Sequence, residues 1–327
     1  MVIVRLEGRA PGFRVVGRDL HHLCLLIAHR NRTGQTTPGP CGEKILQFLA
    51  VRNPSKCPLA ATSRWTWAIS SSGRLACFGA AVDHGVPQNM VSPVSCISAG
   101  LAHTCVLTQS GELSCYGDNT VGQCNIPANV GRVVAVAAGF YHTAAVKACG
   151  ELICFGAPSS CNVPPGLGPV TAVAAGQQHT CVVTTNGQLA CFGGNSRGQC
   201  EVPPNLGNVV AVAAGLSHTC AVQADGSLVC FGQNEHGQCD VPANLGPVTA
   251  VAAGFAHTCA LKASGELVCF GRSDSGQCSV PAGLDAVVAV AAGPHHTCAM
   301  TSHGYVVCFG DNRFGQCNVP AEFRLYA

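Results

Sequence analysis

Between Pro247 and Pro281 the chain alternates short apolar runs with breakers, and that punctuation predicts strands. VTAVAA is a run of small and β-branched residues closed by Gly254; HTCALK follows, Ser264-Gly265 supplies a hairpin turn, and ELVCFG completes the hairpin. Gly271 to Gly276 is a loop rich in Gly, Ser and Asp, and QCSVP reads as a short fourth strand closed by Pro281, whose missing N–H suits a sheet edge. Nowhere does this unit hold the long 3.6-residue apolar period that a helix requires.

The pattern repeats along the chain. SAGLAHTC, AAGFYHTA, AAGQQHTC, AAGLSHTC, AAGFAHTC and AAGPHHTC place His103, His142, His179, His218, His257 and His296 at steps of 39, 37, 39, 39 and 39 residues. A second element, LxCFG or its close variant, follows at Cys77, Cys115, Cys154, Cys191, Cys230, Cys269 and Cys308, which makes seven copies. The first copy is degenerate, with Thr62 in place of the glycine and Trp65 in place of the histidine, as terminal repeats often are. Four short antiparallel strands per unit predict a propeller blade, so the expected fold is all-β: a seven-bladed β-propeller of four-stranded blades over residues 55–321. Residues 1–54 form an N-terminal extension, in which MVIVRLEGR and GFRVVGRDL suggest a hairpin, Leu20 to His29 a helix and Thr33 to Gly42 a linker; residues 322–327 are a tail.

The consensus VAAGxxHTxAL…GxLxxFGxNxxGQ resembles the repeat of the regulator of chromosome condensation family, over about four fifths of the chain. The ending GQCxVP is similar to that of bacterial propellers of this fold that inhibit β-lactamase. The resemblance implies a propeller whose relatives carry out diverse tasks: nucleotide exchange on small GTPases, ultraviolet sensing, service as modules of HECT-type ubiquitin ligases, or enzyme inhibition. Light sensing requires a tryptophan cluster, and this chain has only Trp65 and Trp67.

With 47% apolar and 10% charged residues the chain can bury an extensive core, and 18 basic against 16 acidic residues leave no basic footprint for nucleic acid. The longest apolar run of the N-terminal region, Leu23 to Ala28, is too short for a signal h-region or a membrane span. The expectation is a monomer in the cytoplasm or nucleus, with no membrane contact; an NxT sequon at Asn31 matters only for a secreted chain. No nucleophile elbow, phosphate-binding glycine loop, HExxH pair or carboxylate cluster occurs, so no enzyme activity, catalytic residue, cofactor or metal site is expected.

The six histidines fall one to a blade and cannot share a zinc ion at bond lengths of about 2 Å. They are expected to hydrogen-bond backbone near the start of the second strand. Of 23 cysteines, 18 fall in three columns. The first follows the histidine (Cys105, Cys181, Cys220, Cys259, Cys298), the second precedes the aromatic residue, and the third is Cys124, Cys161, Cys200, Cys239, Cys278 and Cys317. A three-residue hairpin loop would set columns one and two directly opposite, offering the pairs Cys105 with Cys115, Cys181 with Cys191, Cys220 with Cys230, Cys259 with Cys269 and Cys298 with Cys308, whereas a two-residue loop would put them off register. Trp67 and Ala144 interrupt column one and strand Cys77 and Cys154, so buried free thiols and intrablade disulfides both remain open.

The loops after the first and third strands share one face and vary most between copies, as a binding surface on a rigid scaffold would. Candidate contact residues for a protein partner are Phe140, Tyr141, Gln177, Gln178, Arg197, His236, Phe255, Arg272, His295, Arg313 and Phe314, with exposed Phe140, Tyr141, Phe255 and Phe314 as anchors. The expected function is a protein-binding scaffold, free-standing or related to ubiquitin-ligase modules. Alternatives are guanine-nucleotide exchange on a small GTPase and a disulfide-stapled extracellular binding or inhibitor protein.

Overall fold

A computed structural model describes residues 58–70, 73–80, 86 and 92–323, so the expectations for residues 1–54 and for the last four residues lie outside the described residues. Seven antiparallel sheets follow one another along the chain, spanning residues 59–79, 94–117, 133–156, 170–193, 209–232, 248–271 and 287–310. Each has its strands in sequence order. The sixth is representative, with strands Val248–Ala253, His257–Lys262 and Leu267–Gly271.

The blades close into a ring. An axial channel is lined by the ends of the first strands of all seven, including Thr62, Gly100, Gly139, Gly176, Gly215 and Gly293. Ala and Gly make up most of its wall, beside the larger Leu101, Phe140, Leu216, Phe255 and Pro294, because small side chains suit the place where seven strands converge. Between blades the core is a chain of apolar clusters. Cys105 and Leu107 of the second blade pack on Val133 and Ala145 of the third, and Leu59, Ala68 and Phe78 of the first pack on Cys298, Met300 and Val306 of the seventh. The second strands carry most of the burial: His257–Leu261 is buried without interruption.

Among the described residues the expected fourth strand is absent, and each blade has three. The GQCxVP segment instead spends its N–H groups locally: Ser279 N donates to Gly276 O at 3.0 Å and Val280 N to Cys278 O at 3.0 Å. The Cys278 amide donates to Ser273 Oγ, and Gln277 Oε1 accepts from Ser275 N. With those donors used in turns and Pro281 having none, no ladder can form.

Candidate functional site

The face bearing the loops after the first and third strands is organised from below by the repeated histidines. All six are buried, and each ring reaches into the following blade: His142 Nε2 lies 2.9 Å from Thr180 Oγ1, and His218 Nε2 3.1 Å from Thr258 Oγ1. This corrects the expected backbone partner. The threonine hydroxyl in turn donates to the carbonyl between the blades, as Thr219 does to Gln199 O at 2.8 Å. Since its proton is committed there, the imidazole must donate from Nε2–H, leaving Nδ1 as a lone pair with no hydrogen-bond partner among the described residues. Burial, aided by the neighbouring imidazoles, lowers His142 and His179 to about 4. These rings are therefore neutral and structural. The seventh blade is tied to the first in the same way: His296 Nε2 is 2.8 Å from Thr66 Oγ1, which donates to Gln316 O. Trp65 replaces the histidine in the first blade, and Thr104 Oγ1, which would have been its partner, has none among the described residues.

Above this layer the two loop sets are tied together by backbone: Gly194 N donates to Gln178 O at 2.7 Å and Arg272 N to Ala256 O at 2.8 Å. Both sets therefore lie on one face. At the mouth of the axial channel Phe140 of the third blade meets Phe255 of the sixth, with ring centroids 5.3 Å apart. Tyr141 stacks edge-on against Phe140, and His295 against Phe255. The expectation that Phe140 and Phe255 stand exposed is thus corrected: both are half-buried, because they reach across a narrow axis and cover one another. Tyr141 and Phe314 remain exposed, at 39% and 41%.

Charge on this face is paired. Arg197 of the fourth blade bridges to Glu235 of the fifth at 3.1 Å, Arg272 contacts Asp274, and Arg313 grips Asp311 through two nitrogens. The Arg313 bond holds the Asp311 carboxyl below the usual carboxylate range. Gln177 is half-buried, while Gln178 and His236 are exposed. Sequence reasoning missed Arg64, whose guanidinium lies 5.1 Å from the Phe314 ring centroid. The first blade's degenerate pattern hid it, although its place two residues after Thr62 put it in the varying loop.

On the outer part of the blades, columns one and two of the cysteines sit directly opposite: Cys105 with Cys115, Cys181 with Cys191, Cys220 with Cys230, Cys259 with Cys269 and Cys298 with Cys308. The cause is a three-residue loop such as 185–187, where Gly187 at φ +76° provides the left-handed residue. Cys181 and Cys191 are bonded, and in the fifth and sixth blades the two sulfurs are 3.0 Å apart. Cys154, whose column-one partner is Ala144, is not stranded: it is bonded to Cys161 of column three. Among the described residues no group of three or more His, Cys, Asp or Glu is arranged to hold a metal ion, and no helix is long and apolar enough to cross a membrane.

Comparison with known proteins agrees with this architecture. The model of the regulator of chromosome condensation (RCC1) repeat matches residues 94–123, 170–199, 209–238, 248–277 and 287–316. The two blades it passes over are those in which Trp67 and Ala144 replace the column-one cysteine. None of the curated proteins matches the sequence. Among solved structures, the ectodomain of the Physcomitrella patens receptor kinase CR4 is 21% identical, with a TM-score of 0.66 over 77% of this chain and 73% of that one. Prp20p from Saccharomyces cerevisiae, described with its binding to Gsp1p and histones, is 17% identical, with a TM-score of 0.66 over 84% of this chain and 86% of that one. Yeast RCC1 (Prp20) bound to Kap60 gives 17% identity and a TM-score of 0.68, covering 94% and 89%. At these identities the likeness is one of fold. The repeat pattern, the seven closed blades and the matching repeat model together place the chain among the propellers of the regulator of chromosome condensation repeat family.

Proposed function

We propose that this propeller is a protein-binding scaffold that engages its partner with the face carrying the loops after the first and third strands, and that it works by binding and not by chemistry. The observation that carries the reading is the composition of that face: an aromatic group over the channel mouth, with Tyr141 and Phe314 still exposed, Arg64 over the Phe314 ring, and Arg197, Arg272 and Arg313 in the loops of the same face. Aromatic and arginine side chains dominate the energetics of protein interfaces. Carboxylates pair with Arg197, Arg272 and Arg313 and keep the face from being strongly basic, which suits a protein better than a nucleic acid.

Prp20p, described with Gsp1p and histones, and the Kap60 complex support a protein partner of this kind, and a GTPase is the second reading on that ground. A relationship to ubiquitin-ligase modules is the narrower form of the first. The test is photo-crosslinking from position 141 or 314 of the full chain, followed by affinity measurement with each partner recovered. Tyr141→Ala combined with Phe314→Ala should weaken binding at least tenfold, about 1.4 kcal/mol, with an unchanged melting temperature. Partners that bind the double variant as well as the parent would overturn the choice of face, and accelerated nucleotide release from a GTPase panel would favour the second reading.

A further inference from the structure

The third and fourth blades hold their sulfurs in two different pairings. In the fourth, Cys191 of the third strand is bonded to Cys181 of the second, and Cys200 in the following loop is free. In the third, where Ala144 removes the second-strand thiol, Cys154 is bonded to Cys161, its Cα 5.2 Å away. The loop there is two residues shorter than in the fourth blade, yet Cys161 occupies the same structural position as Cys200. Thr180 Oγ1 donates to the carbonyl preceding Cys161, as Thr219 Oγ1 does to the carbonyl preceding Cys200. The same threonine bond fixes the loop cysteine in the second, fifth, sixth and seventh blades, through Gln123, Gln238, Gln277 and Gln316. In each of these the loop thiol rests against the carbonyl that follows the third strand, 3.3 Å away for Cys278 and 3.4 Å for Cys239. The third-strand cysteine thus has two candidate partners: the second-strand sulfur, 3.0 Å away in the fifth and sixth blades, and the loop cysteine, to which it is bonded in the third.

We propose that the blades are thiol–disulfide exchange sites in which the third-strand cysteine is a sulfur shared between the buried second-strand cysteine and the loop cysteine, with the loop cysteine as the point of attack for a small disulfide such as glutathione disulfide. Access argues for this order. Cys105, Cys220, Cys259 and Cys298 have no exposed surface, so no reagent reaches them directly, whereas the loop and third-strand cysteines are half-buried. Between those two, the third-strand thiol is engaged by its buried neighbour, with Cys269 Sγ donating to Cys259 Sγ at 3.0 Å, whereas the loop thiol of Cys278 meets the Arg272 carbonyl. The loop sulfur is therefore the one open to an incoming disulfide, and it reacts first.

In the sixth blade the Cys278 thiolate attacks one sulfur of glutathione disulfide, forming a mixed disulfide and releasing one glutathione thiolate. Cys269, as thiolate, then attacks the Cys278 sulfur and displaces the second glutathione, giving the Cys269–Cys278 bond. Last, Cys259 attacks the Cys269 sulfur, Cys278 leaves as thiolate and takes up the proton that Cys259 gave up, and Cys259–Cys269 remains. One glutathione disulfide is reduced to two thiols, and two protein thiols, whose protons the glutathione thiolates accept, are oxidised to one disulfide. The third blade halts at the second stage because alanine offers no sulfur for the last, and the fourth blade represents the end state.

The experiment uses the full chain, reduced, freed of reductant and exposed to glutathione disulfide, with alkylation at intervals and mapping of every cysteine by mass spectrometry. Cys278→Ser should slow oxidation of the sixth blade at least tenfold, with the fifth and seventh blades of the same molecules unchanged as internal controls. Cys259→Ala should move the final bond to Cys269–Cys278; alanine fits this position, as Ala144 already shows in the third blade. A sixth blade that oxidises at the parental rate in Cys278→Ser, a Cys259→Ala chain whose Cys269 and Cys278 both stay alkylatable, or a parent chain that forms no second-strand to third-strand bond would each overturn the proposal.

Discussion

At the scale of single residues, the decisive group is the imidazole that crosses from one blade to the next. It gives a buried donor one partner, and that partner's own proton goes to a carbonyl, so each link is determined by the one after it. Thr219→Val leaves the His179 Nε2–H buried and unpaired, and denaturant titration should show a loss of about 1–3 kcal/mol. Thr104→Val is the internal control: no imidazole reaches Thr104, so the same change there should be neutral or slightly stabilising. Acid should act through the same rings. His142 and His179 titrate at about 4 in the folded chain against 6.5 when unfolded, so the unfolded state binds the extra protons between those values. Their contribution is complete above pH 6.5 and fades as pH falls towards 4, by about 3 kcal/mol each. Stability measured from pH 7.5 down to 4.5 that stayed flat would contradict neutral buried rings.

At the scale of the element, the glycine ending each first strand separates two uses of that residue. The hairpin glycine 187 is required by its positive φ, whereas Gly139 is not in the left-handed region at all; a Cβ there would collide with the His142 ring and with the Gly176 carbonyl of the next blade. Where Trp65 removes the imidazole, Thr62 takes the glycine's place. Gly139→Ala should cost about 1–3 kcal/mol by overpacking, read as a lowered denaturation midpoint with unchanged slope. The sequence made the hairpins legible, because alternation and Ser-Gly or Asn-Gly lie within one unit, but it left their loops at two or three residues, and the observed register decided for three. It misled on the fourth strand, since QCSVP has strand-like composition while the Asn234 side chain and its equivalents capture the amides a ladder would need.

At the scale of the whole molecule, stability rests on the joints between blades. The joint closing the ring couples Thr66 to residues 230 and 250 positions away, and the joint beside it is filled by Trp67, which is 1% exposed among Ile69, Val94, Ile97 and Val106. Trp67 stands where five other blades have cysteine, so it fills with one large side chain the space beside a degenerate copy. Trp67→Ala should cost about 3–5 kcal/mol, measurable by equilibrium unfolding. A loss below about 1 kcal/mol would show that this joint is not a principal contributor.

The sequence by itself determined the seven units, the strand–turn–strand hairpin, the ten-residue spacing of two cysteine columns and the side on which the variable loops gather, because these relations repeat at fixed spacing along one chain. Only the tertiary structure decided that each histidine bonds a threonine of the next blade, that Phe140 meets Phe255 across the axis, that Arg64 stands over Phe314, and that Cys154 turns to Cys161. Those contacts join different units or depend on the rotation between them. That rotation is set when apolar blade faces pack and the seventh closes on the first, an event that no local pattern of residues encodes.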